Sequence, residues 1–460
     1  FFLKGKPRVA TKRKFDKTKS EQKRQKSTKT PKLLLKNEEE EIQSDVELIE
    51  SNGKINNNIE FDEDDNDEIA ETPQDKRLRL AKKYLQNVEE EERNRLDEKE
   101  YSERNISYRL KTDYLDSIGK LRRKIAENYQ NADLDRVKIL KFKRQFLTIT
   151  CLCLTVDDQF LYVGNKNGII VKWSMENYEK LASTNYQKTA IECLDVNYNA
   201  KYLAVAEMTN SIRICCGQTL ETLNMLEGHS DIVSSIVFRK NTNQLYSASK
   251  DRTIKVWSLD EMAYVETLYG HQSAVTSIDA LTRERAISSG GSDCSVRIWK
   301  IVEESQLVYN GHRDSIECVK LIDDEHFLTS GTDGSLCLWS ASRKKPLWTV
   351  REAHGKSVNG ESNWINSIAT LLNTDLVASG SSDGFVRIWK ISSNFKALES
   401  HFEIPVNGFI NSLLFTSDGS KLIVGVGQEH RLGRWRSIKE AKNYTLVIPL
   451  ISLSGDNDED

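Results

Sequence analysis

Five tryptophans recur along this chain, each six residues after an Asp or Asn: Asn167…Trp173, Asp251…Trp257, Asp293…Trp299, Asp333…Trp339 and Asp383…Trp389. Glu429…Trp435 keeps the offset, and Thr209…Cys215 fits it with Cys in place of Trp. The seven positions are separated by 42, 42, 42, 40, 50 and 46 residues, with short apolar alternations and turn residues between them. A unit of that length cannot bury its own apolar faces, so neighbouring units must stack. The period is that of a four-stranded propeller blade, and seven units predict an all-β, seven-bladed β-propeller.

A second signature has the same spacing. Gly228-His229, Gly270-His271 and Gly311-His312 each precede their Trp by 27 or 28 residues, and Ala353-His354 is a weaker fourth copy. This Gly-His and Trp pairing is the mark of WD repeats, although no Trp here is followed by Asp. We expect His229, Ser247 or Ser249, Asp251 and Trp257 to form a hydrogen-bonded chain that locks a loop to the inner strands. The same set recurs as His271, Ser289 or the Gly291 region, Asp293 and Trp299, and again as His312, Ser330, Asp333 and Trp339. A hydrolase needs one Ser/His/Asp set, not a copy in every repeat, so these residues read as architecture rather than catalysis.

A ring of blades must close. The segment Val137–Phe142 reads as an outer strand that completes the last blade and removes its open edge, with Tyr444–Leu450 as the competing candidate. The propeller is therefore placed at 137–450. Before it, Thr72-Pro73-Gln74-Asp75 carries helix-start chemistry. Leu78, Ala81, Leu85 and Val88 then fall on one helical face. Two further amphipathic stretches follow, through Ile106, Leu110 and Tyr114, then through Leu115, Ile118, Leu121 and Ile125. Residues 72–136 thus form a short helical arm, too thin for a core of its own, whose apolar stripes must dock on something.

The net charge of −3 conceals strong segregation. Residues 1–36 carry +12 and residues 37–71 carry −14; the arm to residue 145 carries +6, and the remainder carries −7. Blocks of like charge with little to bury are expected to be disordered, so 1–71 reads as a basic then acidic tail, and 451–460 as a second acidic tail. Clusters such as Lys12-Arg13-Lys14 fit a nuclear or nucleolar address. The opening residues lack the apolar core of a secretory signal, and the missing initiator Met leads us to expect chain upstream. No apolar run of 18 residues exists, which excludes a transmembrane helix. Eight Cys, mostly within apolar strand-like runs, suit a reducing compartment better than a disulfide scaffold.

No phosphate loop, dinucleotide fingerprint or metal spacing is present, so we expect no cofactor, no metal, no small-molecule substrate and no enzymatic activity. What remains is surface charge. A net-negative ring repels RNA overall, so binding requires local clusters of base. The densest in the ring is Arg431, Arg434, Arg436, Lys439 and Lys442; on the arm it is Lys76, Arg77, Arg79, Lys82 and Lys83.

Several stretches resemble the U3 small nucleolar ribonucleoprotein 55-kDa WD-repeat family, in its yeast-type ribosomal RNA processing form. They are Glu71–Leu85, Tyr264–Gln272, Glu303–Val308, Leu371–Ala378 and, most specific, Gly425–Trp435. The resemblance spans about residues 71 to 450. It implies a nucleolar component that joins U3 RNA together with a small RNA-binding partner protein and other pre-ribosomal assembly proteins. Its place would be the particle that processes pre-ribosomal RNA towards 18S RNA. The alternative reading is a nuclear receptor that takes peptides in the propeller channel, as chromatin or ubiquitin-ligase adaptors do, without touching RNA.

Overall fold

The computed structural model describes residues 78, 79, 81–86, 109–114, 121–142, 147–185, 189–357, 360–434 and 436–452. The tail 1–71, most of the arm and residues 453–460 lie outside the described residues, as do Lys76, Arg77 and Trp435. Of residues 1–81, only Leu78, Arg79 and Ala81 are described; all three are helical and exposed. Residues 81–86 and 109–114 are also helical.

From Ile149 onwards seven antiparallel sheets follow in chain order, spanning 149–185, 191–227, 233–269, 275–310, 316–350, 367–405 and 409–452. These are the blades. In each, the second strand lies between neighbouring sheets and is buried on both faces, as Leu203-Ala204-Val205-Ala206 in blade two shows. The outermost strand is wet and polar: Lys180–Asn185 of blade one is half exposed along its length. That difference explains why the second strands read as continuous apolar runs rather than alternations. The buried clusters sit between blades, each joining side chains of one sheet to the next.

The recurring polar residues are the locks of four blades. In blade three the Trp257 indole N–H donates to Ser247 Oγ at 2.8 Å, and His229 Nε2 meets the same oxygen at 2.8 Å. His229 Nδ1 lies 2.8 Å from Asp251, whose carboxylate also accepts from the Ser230 N–H and from Thr253. Blade four repeats this with His271, Ser288, Asp293 and Trp299, and blade six with His354, Ser379, Asp383 and Trp389. Blade five uses His312, Thr329, Asp333 and Trp339, with Ser335 Oγ between His312 and Asp333. The expected hydroxyls Ser289 and Ser330 are thus corrected to Ser288 and Thr329. Trp299 lies opposite Ala286 and Trp339 opposite Phe327, so Ser288 and Thr329, two places on, share their face of the sheet, whereas Ser289 and Ser330 point to the other. Ser289 turns instead to Thr276, and Ser330 to the Ile365 carbonyl.

Blades one, two and seven lack the His, and in each a buried valine, Val163, Val205 or Val424, stands where the hydroxyl would be. In blades two and seven the Trp is replaced as well, by Cys215 and Ile448, and losing all three partners together leaves no polar atom stranded. Cys215 does occupy the Trp slot of blade two, opposite Leu203. In blade seven the assignment of the slot to Trp435 is overturned. Residues 428–443 form a loop between the second and third strands, and Ile448, opposite Leu422, fills the slot. Glu429…Trp435 met the acid-to-Trp offset by spacing alone, which does not require a strand between the two residues.

Strand Lys138–Leu140 pairs with Tyr444–Ser452 and supplies the outer edge of the last blade, within the expected Val137–Phe142. Tyr444–Ser452 is the third strand of that blade, not its closing one. A second closing strand, Tyr129–Ala132, pairs with the far end of the same partner, inside the stretch that was expected to be helical arm. Only two of its four residues, Tyr129 and Ala132, are buried, too few to give an alternation signal. Just before it the chain is strapped to blade six. The buried Asp375 carboxylate accepts the backbone N–H groups of Ile125 (2.7 Å) and Ala126 (3.0 Å). The Arg122 guanidinium donates to the carbonyls of Ile391, Ser392 and Ser393 and lies 4.0 Å over the Phe395 ring.

Candidate nucleic-acid interface

The 428–443 loop carries the basic cluster expected in the ring. Its first half is fixed from three sides. Asn411, on the inner strand of blade seven, donates to the Ile149 and Glu429 carbonyls and accepts the Arg431 N–H at 3.0 Å. The Lys166 ammonium, from blade one, donates to the carbonyls of His430 (2.5 Å) and Gly433 (3.2 Å). His430 is buried, with its ring edge-on to Trp364 and Phe409, each 6.2 Å away. Burial pushes its imidazole down to about 3, and the nearby Arg431 and Lys166 charges push the same way, so it is neutral at physiological pH.

Arg431 does not face solvent with the others. Its guanidinium reaches Glu317 Oε2 at 3.5 Å, on the inner strand of blade five, and both side chains are largely buried. The loop therefore extends from blade seven past blade six to blade five. Arg431 spends its charge inside the ring, a placement that sequence spacing does not encode. Arg434 is exposed and lies 3.1 Å from Glu429. Arg436, Lys439 and Lys442 are exposed, and none has an ion-pair partner among the described residues. On the arm, Arg79, Lys82 and Lys83 occupy exposed helical positions.

The other charged places in the ring suit other work. Towards the opposite ends of the inner strands, Asp195 accepts the Phe238 N–H at 2.6 Å and Asp279 accepts the Leu321 N–H at 2.8 Å, each tying one blade to the next. Burial pushes the Asp195 carboxyl up to about 6. A cleft of about 470 Å³ between blades seven and one is lined by Asp158, Glu176 and Asp418 with Lys421, a sign of charge that repels phosphate. No group of side chains suited to a metal ion occurs among the described residues. Sequence reasoning missed Lys166, Asn411 and Trp364, which hold or flank the loop. They come from three different loops and strands, and no periodic pattern marks them.

The family described as WD domain, G-beta repeat matches residues 220–258, 262–300, 303–340 and 352–390, the stretches that end in the Trp of the four locked blades. The chain is 48% identical over 398 residues to U3 small nucleolar RNA-interacting protein 2 of Homo sapiens, covering 83% of each chain. Two solved structures are similar at 45% identity over 70% of this chain. One, titled "Structure of U3-55K", has a TM-score of 0.67 with all of that chain covered. The other, titled "Crystal structure of RRP9 WD40 repeats", has a TM-score of 0.68 with 99% covered.

Proposed function

Because the chain belongs to the U3 small nucleolar ribonucleoprotein WD-repeat family, we propose that it is a non-catalytic component of that particle that binds U3 RNA directly. It scaffolds pre-ribosomal RNA processing towards 18S RNA, in the nucleolus, beside a small RNA-binding partner protein and other assembly proteins. The observation that carries the reading is the loop 428–443: exposed Arg434, Arg436, Lys439 and Lys442 stand on a segment pinned by Lys166, Asn411 and Arg431. Cations carried on a held backbone avoid the entropy cost of ordering the loop when they meet a phosphate backbone, and phosphate contacts set register on a structured RNA. The exposed arm cations Arg79, Lys82 and Lys83 serve as a second contact. No comparable observation among the described residues favours the peptide-receptor reading.

The test is charge reversal of Arg434, Arg436 and Lys439 in the full chain, followed by salt titration of affinity for U3 RNA. Arg431 is left alone, because losing it strands the buried Glu317 carboxylate and damages the fold. We expect a loss on the order of 100-fold at moderate salt, and a salt slope smaller by roughly 0.7–0.9 for each contact removed. Unchanged affinity and slope in the folded variant would move the site elsewhere.

A further inference from the structure

We infer that Trp364 is a base-stacking platform at the rim of this interface, and that the RNA element seated there is an unpaired or bulged base flanked by phosphates. The inference rests on the reading of the 428–443 loop as the RNA surface and names what that surface recognises. Five of the chain's tryptophans, Trp173, Trp257, Trp299, Trp339 and Trp389, are buried in blades, whereas Trp364 is 41% exposed. A single exposed aromatic is ordinary on any surface. Its setting is what distinguishes it.

The ring stands edge-on, at 86°, to His430, the buried residue around which the basic loop is folded. Arg434 and Arg436 follow His430 within six residues. The backbone beneath the indole is fixed on each side. Ser381 Oγ donates to the Trp364 carbonyl at 2.6 Å, Asn363 donates to the His354 carbonyl at 2.9 Å, and the Ile365 N–H points to Gly331. The His430 imidazole is neutral, so the edge contact puts no second positive charge against the indole. A half-exposed aromatic on a rigid mount, its ring set against the residue from which the basic loop runs on, suits single-stranded RNA. Bases stack on the ring while phosphates meet the cations. A duplex would offer the cations its phosphates but present no free base face to the indole.

The experiment uses the full chain and an RNA hairpin carrying one bulged 2-aminopurine, whose fluorescence is quenched on stacking. Trp364→Leu is expected to weaken binding by about 5- to 100-fold and to abolish the quench. The salt slope should stay unchanged, because no phosphate contact is lost. Trp364→Phe should restore most of the affinity. Trp348→Leu, at the half-exposed Trp on the outer strand of blade five, should change neither affinity nor quench. If Trp364→Leu binds and quenches as the wild type while the charge reversal still costs affinity, the platform is wrong and the interface stands. If neither variant changes binding, both are wrong.

Discussion

Trp257→Ala will destabilise the propeller by about 3–5 kcal/mol, the usual cost of deleting a fully buried large aromatic. Trp257 is 2% exposed, and its indole N–H is tied to Ser247. Removing it opens a cavity and also frees a hydroxyl that His229 needs. Asp251→Ala should cost about 2–3 kcal/mol, because it strands the His229 Nδ1 side and the Ser230 N–H together. Acid should weaken the same locks. Burial alone would raise the Asp293 carboxyl, but hydrogen bonds from His271 and Ser295 outweigh it and hold the group at about 2. A depressed carboxyl contributes stability above its ordinary value, near pH 4, and loses it as pH falls towards the folded value. Asp251 and Asp333 are held low by the same balance. Chemical denaturation at pH 7 and pH 3 measures all three effects. Melting like the wild type combined with lost RNA binding would mean that these residues belong to a functional surface instead.

Asp375→Ala will cost about 2–4 kcal/mol, through the closure of the ring rather than through a blade's own lock. Its carboxylate is 2% exposed and is the acceptor for two consecutive backbone N–H groups, at Ile125 and Ala126. Those residues lead directly into the strand Tyr129–Ala132 that seals the last blade. Without the acceptor, two amide groups are left unpaired at a packed surface and the seal frays. Amide exchange should quicken at Tyr129–Ala132 before it does in blades three to five. Asp375→Asn, which keeps one acceptor oxygen, should lose less. Unaltered exchange there in Asp375→Ala would show that the paired strand Lys138–Leu140 closes the ring by itself.

The parts of this protein that were legible in its sequence are those under periodic constraint. Trp257, Trp299, Trp339 and Trp389 had to recur because each fills the same slot opposite a second-strand residue. The structural role of His229, His271 and His312 followed from repetition alone. The closing strand at Lys138–Leu140 was legible because a ring needs one. Which hydroxyl each lock uses was not, since neighbouring serines in a strand differ only in the face they present, and a register shift of one residue exchanges them. Paired substitution was visible but unread: every blade without the His also carries a valine for the hydroxyl. The 428–443 loop failed differently. Its composition showed five cations, but Arg431 turns inward to Glu317, a partner 114 residues away that no local pattern announces. Trp364 and Lys166 likewise meet the loop only through tertiary packing.

The central claim is that this chain touches U3 RNA and does so with the 428–443 loop. Ultraviolet crosslinking of the full chain in nuclear extract, with the bound RNA sequenced and the crosslinked peptide identified, tests it most directly. U3 RNA should be the enriched species, with crosslinks within 428–443 or at Trp364 and a second set on the arm. Crosslinks confined to other RNAs, or to blades far from this loop, would contradict it.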